Sequence, residues 1–207
     1  MQRIGLTGGI GAGKSVASRR LNELGAVVID ADDLARAAVA PGTVGFDAVV
    51  DEFGPDVLGA DGNLDRAALA ALVFAEASAR ARLERIVHPQ VRRLGLEREA
   101  AAAARDPQAV VVHSIPLLVE TGQADRFEFV VVVHAPAVLR AERLVRLRHM
   151  DRAEAEARIA AQASDDERLA AADVVLDGTG SDQDLIARVD DLWARLVAER
   201  TAEAEPA

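Results

Sequence analysis

The sequence contains no cysteine, so neither a disulfide bond nor a thiolate metal site can form within it. No apolar run reaches the roughly 18 uninterrupted residues that a membrane-spanning helix requires. Glycines follow almost directly after Met1, which is not the pattern of a signal peptide. These absences lead us to expect a cytoplasmic protein with no membrane partner.

Long basic runs are absent as well, and the formal net charge of the 207 residues is -10. Nucleic acids and anionic membranes repel such a chain unless it carries a local basic patch, so we expect no nucleic-acid partner. The length suits one domain. We expect that domain to span residues 1–200 and to be followed by a disordered tail at 201–207, and the oligomeric state is open between a monomer and a weak homo-oligomer.

Short runs rich in valine and isoleucine alternate with helical patterns along the chain. The runs occupy residues 3–6, 26–29, 109–113, 127–133 and 174–176. Continuous apolar runs are typical of strands buried on both faces of a parallel sheet. The pattern therefore predicts an α/β fold with a doubly wound, parallel, five-stranded sheet. We expect a helical insertion at about 35–105 and an arginine-rich helical lid at about 137–168.

A glycine-rich loop follows the first predicted strand and precedes an amphipathic helix. Residues 8–15 match the pattern G-x-x-x-x-G-K-[ST] at every fixed position. In such P-loops the backbone N–H groups and the helix N-terminus hold phosphates, while the lysine reaches the β- and γ-phosphates and the serine binds Mg²⁺. The predicted ATP-binding residues of the loop are Gly8, Gly9, Gly11, Ala12, Gly13, Lys14, Ser15 and Val16.

Three carboxylates follow the second predicted strand, at Asp30, Asp32 and Asp33. Ligands of open α/β sheets bind beyond the carboxyl ends of the strands, so these side chains are candidates to face the transferred phosphate. One carboxylate can accept a proton from a substrate hydroxyl, and one can hold Mg²⁺. The alternative is that any one of them simply caps the next helix.

Four arginines, Arg140, Arg143, Arg146 and Arg148, lie within about two and a half helical turns. Mobile arginines stabilise the charge that develops during phosphoryl transfer, and a closing lid excludes water. The alternative is a solvated helix with ion pairs, for example between Glu142 and Arg146.

Several short motifs occur together in one order along most of the chain. Besides the glycine-rich loop they are Val28-Ile29-Asp30-Ala31-Asp32, Ala35-Arg36, Pro41-Gly42, Phe53-Gly54, Asp61-Gly62, Leu64-Asp65-Arg66, Val73-Phe74, Val87-His88-Pro89, the stretch 115–120, Ala161-Gln162-Ala163-Ser164, Glu167-Arg168-Leu169, Ala172-Asp173 and Gly180. In this order the sequence resembles the dephospho-coenzyme A kinase family. The resemblance implies transfer of a phosphoryl group from ATP to the ribose 3′-hydroxyl of dephospho-coenzyme A, with Mg²⁺ as cofactor.

The resemblance also implies roles for individual residues. Asp32 matches the general base, while Lys14, with Arg140 or Arg143, would stabilise the transferring phosphoryl group. Ser15 and Asp32 are the metal candidates, and Arg148 is a further candidate for binding ATP. The expected substrate-binding residues are Asp30, Asp32, His88, Pro116, Leu117, Leu118 and Glu120.

The sequence departs from the family pattern at Asp165-Asp166 and at Asp177-Gly178, and no Walker B carboxylate follows the third strand, which ends at His113-Ser114. Three alternatives are a kinase for a nucleoside monophosphate, a GTP-dependent switch and a nucleic-acid ATPase. The family motifs argue against the first, and the absence of an N-K-x-D motif argues against the second. The net charge and the short chain argue against the third.

Overall fold

The structure, a computed structural model, describes residues 1–204, with side chains through residue 198. Its centre is a five-stranded sheet with the strand order β2-β3-β1-β4-β5. β1 pairs in parallel with β3 and β4, and β4 pairs in parallel with β5. The strands are β1 (Gln2–Gly8), β2 (Val27–Asp30), β3 (Val110–Ser114), β4 (Phe129–His134) and β5 (Val174–Asp177). The predicted α/β fold with a parallel five-stranded sheet is confirmed.

Apolar clusters pack against both faces of this sheet. Along β4, Val131 and Val133 belong to the larger core, which includes Leu21 and Leu192 of α1 and α9. Val130 and Val132 pack instead with Leu118 in a second, smaller cluster. Because successive side chains of a strand point to opposite faces, the two clusters lie on opposite sides of the sheet.

Nine α-helices accompany the strands in the described part of the chain. They are α1 (Lys14–Glu23), α2 (Ala31–Ala38), α3 (Val44–Phe53), α4 (Arg66–Ala75), α5 (Ala77–Arg105), α6 (Ala137–Arg148), α7 (Arg152–Ala160), α8 (Asp165–Ala170) and α9 (Asp182–Ala204). Short 3₁₀ helices span Pro55–Val57 and Ala124–Arg126.

The chain divides into two compact units. The first contains residues 1–29 and the described residues from 102 onward, and therefore holds most of the sheet. The second is Asp30–Ala101. From residue 31 onward this second unit contains helices and a single isolated antiparallel bridge between Leu58 and Leu64.

The end of α9 differs from the expectation for residues 201–204. α9 extends to Ala204, so the predicted disordered tail overlaps this helix over residues 201–204. Residues 205–207 of the predicted tail lie outside the described residues.

In the part that the structure describes, we find no helix with the length and apolar character needed to cross a bilayer.

Candidate active site

The glycine-rich loop connects the end of β1 to the start of α1 in the first unit. Gly11 and Gly13 adopt φ angles of 82° and 112°, in the left-handed region that residues with a side chain avoid. The Ala12 N–H donates to the Gly9 carbonyl at 2.9 Å and closes a turn within the loop. Gly13 is the N-cap of α1 and supplies no side-chain hydrogen bond, so no cap side chain stands between the helix N-terminus and an anion.

Lys14 begins α1 and points to the carboxyl end of a neighbouring strand. Its Nζ donates to Ser114 Oγ at 2.6 Å. Ser114 ends β3, and the register of β1 and β3 sets it beside Leu6, just before the loop. Lys14 is the only lysine in the sequence. The structure therefore places a single primary ammonium group against the phosphate-binding loop.

Arg140 lies on α6 and is almost fully buried, with 2% of its surface exposed. Its Nε donates to the Ala135 carbonyl at 2.9 Å, and its Nη2 donates to Asp165 Oδ1 at 2.7 Å. Nη1 has no hydrogen-bond partner among the described residues. A Cβ atom added to Gly9 would lie 2.4 Å from this nitrogen, so the free N–H group stands directly against the loop. Burial lowers the pKa of Arg140, and the charge of Asp165 opposes that shift.

Arg143 connects two loops through backbone carbonyls. Its Nη1 lies 3.4 Å from the Gly11 carbonyl, and its Nη2 donates to the Gly180 carbonyl at 3.0 Å. Arg148 is exposed in the last turn of α6, immediately before His149, whose φ is 53°. The contact of Arg148 with ATP stays a prediction.

The segment after β3 is only partly available to a substrate. Leu118 is fully buried with Val130 and Val132, so its predicted substrate contact is not supported: the side chain belongs to the core. The Pro116 carbonyl accepts a hydrogen bond from Thr7 Oγ1 at 3.4 Å. Leu117, in contrast, is 43% exposed.

The carboxylate of Glu120, a predicted substrate-binding residue, already has partners within the first unit. Oε1 accepts the Ala163 N–H at 2.8 Å and lies 3.2 Å from Arg168 Nη2. Arg168 is buried and also contacts Asp165 Oδ1 at 3.3 Å. Glu120 therefore holds the segment before α8 in place.

The three carboxylates at the end of β2 and the start of α2 belong to the second unit and differ in their contacts. Asp30 is the N-cap of α2, and its Oδ1 accepts the N–H groups of Asp32 and Asp33 at 2.9 and 3.2 Å. The capping alternative is therefore correct for Asp30. Asp33 forms an ion pair with Arg36, whereas Asp32 is an exposed residue in the first turn of α2.

His88 is exposed within α5 and directly precedes Pro89, the proline inside that helix. Its contact with substrate stays a prediction.

Sequence reasoning missed the importance of Gln162, Asp165 and Arg168. Gln162 Oε1 accepts the Ile10 N–H of the glycine-rich loop at 2.9 Å. Asp165 stands where the sequence departs from the family pattern, and it joins Arg140 to Arg168. One local signal was present, because Ser164-x-x-Glu167 is a capping-box sequence and does begin α8. The ion pairs themselves leave no such local signal.

Replacing Asp165 with alanine is expected to lower the free energy of unfolding by about 3 kcal/mol. This loss is at the low end of the range for removing one partner of a buried ion pair. We choose the low end because the Asp165 side chain is 29% exposed, although both arginine side chains are only 3% exposed. Chemical denaturation measures the change. Asp166→Ala, which alters an exposed neighbouring residue, is the control. Equal losses in the two variants would contradict the importance of this pair.

The loop between β5 and α9 lies against the glycine-rich loop. The Gly178 N–H donates to the His134 carbonyl at 2.7 Å, and a Cβ atom at residue 178 would lie 2.3 Å from the Ala12 carbonyl oxygen. Only glycine permits this approach. Asp177 accepts the Thr179 N–H at 2.9 Å and a hydrogen bond from Arg188 Nη2 at 2.9 Å. Hydrogen bonds from Thr179, and then from Arg188, hold the pKa of Asp177 well below its ordinary range.

This lowered pKa predicts a pH-dependent stability. Ionised Asp177 stabilises the fold above its unfolded pKa of about 3.9, and that contribution is lost as the pH falls toward the lower folded value. Asp177→Asn is therefore expected to melt at a lower temperature than the parent at pH 7. This difference is expected to shrink as the pH falls below about 4. Asp51→Asn, at an exposed position of α3, controls for the loss of one charge. A difference that stays constant between pH 7 and pH 3 would contradict the assignment.

The strand order and the glycine-rich loop together define the class of this protein. A G-x-x-x-x-G-K-S loop between the central strand of a parallel sheet and the following helix is the mark of a P-loop nucleotide-binding protein. The solved structure of TT1252 from Thermus thermophilus is similar, with a TM-score of 0.77, 36% identity, and coverage of 94% of this chain and 97% of that one. A dephospho-CoA kinase from Campylobacter jejuni shares the fold, with a TM-score of 0.67 and 23% identity over 94% of this chain and 97% of that one.

Sequence comparisons narrow this class to one family. The family model described as dephospho-CoA kinase matches residues 2–184. A dephospho-CoA kinase of Streptomyces avermitilis is 53% identical over 95% of this chain and 95% of its own length. One of Mycobacterium tuberculosis is 55% identical over 93% of this chain, but the match spans only 47% of that relative's length. The chain belongs to the dephospho-CoA kinase family.

Proposed function

We propose that this protein transfers the γ-phosphoryl group of ATP to the ribose 3′-hydroxyl of dephospho-coenzyme A, giving coenzyme A and ADP, the last step of coenzyme A biosynthesis. The observation that carries the proposal is the family match over residues 2–184, in a chain with a complete phosphate-binding loop. We further propose that the reaction takes place in the cytoplasm, with which the absence of cysteine agrees.

On the donor side, we assign the loop amides and Lys14 to the β- and γ-phosphates. The left-handed backbone at Gly11 and Gly13 supports this role, as does the uncapped N-terminus of α1. Arg140 is the second cationic group, because its free Nη1 stands against Gly9. Positive charge at these positions stabilises the negative charge of the transferring group. Arg143 acts differently: its bonds to the Gly11 and Gly180 carbonyls hold the loops together.

On the acceptor side, we assign the general base to Asp32. Asp30 is engaged as a helix cap and Asp33 is paired with Arg36, whereas Asp32, exposed in the first turn of α2, is neither the cap nor part of that ion pair. The Asp32 carboxylate accepts the proton of the 3′-hydroxyl while the hydroxyl oxygen bonds to the γ-phosphorus. The bond from that phosphorus to the β–γ bridging oxygen breaks, and ADP leaves.

A kinase of this family needs a divalent metal ion, which we propose to be Mg²⁺. The hydroxyl of Ser15 and the carboxylate of Asp32 are the hard oxygen ligands that Mg²⁺ prefers. The described residues include no group of three or more histidine, aspartate or glutamate side chains able to hold a metal ion. This fits a cation bound through few protein ligands and shared with phosphates. The ion supplies neutralising charge on the phosphate oxygens when bound.

For dephospho-coenzyme A itself, we retain Pro116, the exposed Leu117, His88 and Asp32 as contact candidates. The Glu120 carboxylate is bonded to Ala163 and Arg168, so we do not assign it a direct contact with the substrate. Its contribution is to hold the segment before α8 in place.

The proposal is tested by the rate of ADP release with Mg-ATP and either dephospho-coenzyme A, AMP, CMP or no acceptor. Turnover is expected with dephospho-coenzyme A only. Turnover with a monophosphate instead would keep the P-loop kinase class and overturn the acceptor. Nucleotide binding without turnover on any of these acceptors would overturn the proposed activity and favour a nucleotide-dependent switch.

A further inference from the structure

The peptide bond between Gly9 and Ile10 is fixed at both of its polar ends. Its carbonyl accepts the Ala12 N–H at 2.9 Å, which is a contact inside the loop. Its N–H donates to Gln162 Oε1 at 2.9 Å, a side chain from the connection between α7 and α8. Rotation of this peptide plane would break both bonds together, so the orientation of the loop backbone depends on Gln162.

The residues after Gln162 are each attached to a different part of the first unit. The Ala163 N–H donates to Glu120 Oε1 at 2.8 Å. Ser164 caps α8 in a reciprocal capping box with Glu167. Asp165 then pairs with the buried Arg140 and Arg168. Gln162 is therefore presented to the loop from a segment with little freedom to move.

The same segment sets the position of the charged group beside the loop. Asp165 holds Nη2 of Arg140, and the Ala135 carbonyl holds its Nε, while the unpartnered Nη1 lies against Gly9. One short stretch, residues 162–165, thus fixes both the loop backbone and the arginine that stands against it.

We propose that Gln162 is a positioning residue, which holds the Gly9–Ile10 peptide so that the loop amides stay arranged for the phosphates of the nucleotide. This inference rests on the proposed function only in assigning a nucleotide to the loop, and it does not depend on which acceptor is used. Gln162 does not touch reacting atoms in this account; it acts through the loop backbone.

The test compares ADP binding, measured without any acceptor, in three variants. Gln162→Leu removes the acceptor atom at similar side-chain size and is expected to raise the Kd for ADP about tenfold, because a half-buried N–H group loses its partner. Gln162→Glu keeps an acceptor oxygen at the same reach and, with all variants compared at about 1 M salt to screen its added charge, is expected to stay within about threefold of the parent. Gln108→Leu makes the same exchange at an exposed residue before β3 and is expected to change nothing.

Steady-state kinetics and thermal unfolding separate positioning from general damage. For Gln162→Leu we expect KM for ATP to rise about tenfold while KM for dephospho-coenzyme A and the melting temperature stay close to the parent values. Equal ADP affinity in the Leu and Glu variants, whether weak or unchanged, would overturn the inference. The inference would also be overturned if the melting temperature of Gln162→Leu fell so far that partial unfolding explained its weaker ADP binding. If dephospho-coenzyme A is not the acceptor, the ADP measurements still decide the role of Gln162.

Discussion

Replacing Lys14 with alanine is expected to abolish turnover, with kcat falling by about 10³-fold or more. Removing one preorganised donor from a developing charge already costs about 10²–10³-fold, and Lys14 contributes a full positive charge. No other lysine exists in the chain that could take its place. The bond from Nζ to Ser114 Oγ, at 2.6 Å, holds the ammonium group beside the loop. The rate of ADP release at saturating Mg-ATP measures the effect.

The matched control for this loss is Arg19→Ala. Arg19 also lies on α1 and is exposed, and among the described residues its only ion pair is with Glu23 at 3.8 Å. Its removal is expected to leave kcat within twofold of the parent. Parent-like activity in Lys14→Ala would end the assignment of the loop to phosphoryl transfer.

Because Lys14 is the only lysine, its role can also be followed chemically. An amine-selective reagent has two targets in this sequence, Lys14 and the terminal amine, and mass spectrometry distinguishes them. ATP is expected to protect Lys14 and not the terminal amine. Equal labelling of Lys14 with and without saturating ATP would argue against contact between its ammonium group and the nucleotide.

Replacing Asp32 with asparagine is expected to lower kcat by about 10²-fold or more and to leave the affinity for ATP, measured without Mg²⁺, nearly unchanged. Asparagine keeps the size of the side chain but cannot accept the proton of the hydroxyl, and general-base catalysis contributes about 10²–10⁴-fold. Rapid-mixing measurements of kcat, together with equilibrium binding of ATP, separate the two effects.

Asp33→Asn is the control for Asp32→Asn, because it makes the identical change one residue further along the same helix. Asp33 is paired with Arg36, and the loss of an exposed ion pair has little effect on stability. Asp33→Asn is therefore expected to retain kcat. The reverse pattern, with loss in Asp33→Asn and none in Asp32→Asn, would move the general base to Asp33.

The sequence predicted the sheet and the loop because both depend on local patterns. Apolar runs without alternation identify buried parallel strands, and all five lie within a few residues of their predicted positions. The fixed spacing of residues 8–15 identifies the phosphate-binding loop in the same way.

The contacts around Arg140 could not be predicted in this way. Its ion pair with Asp165 joins residues 25 positions apart, and the Gln162 bond to Ile10 joins residues 152 positions apart. No periodicity or motif encodes such pairs, since they depend on how α6, α8 and the loop pack. The same reason explains Leu118, where an apolar residue after a strand was assigned to substrate but packs in the core.

The roles of the aspartates at the start of the second unit could not be predicted from the sequence either. Three aspartates within residues 30–33 gave no way to tell the helix cap from the catalytic candidate. The backbone geometry distinguishes them, because Asp30 alone has extended dihedral angles and accepts the N–H groups of the first turn of α2.

The most direct test of the central claim is the identity of the product formed from ATP and dephospho-coenzyme A. We expect one added phosphoryl group, found by mass spectrometry, and its attachment to the ribose 3′-oxygen, found by ³¹P and ¹H NMR, with one ADP formed for each product molecule. Unmodified dephospho-coenzyme A, or a phosphoryl group at another position, would contradict the account.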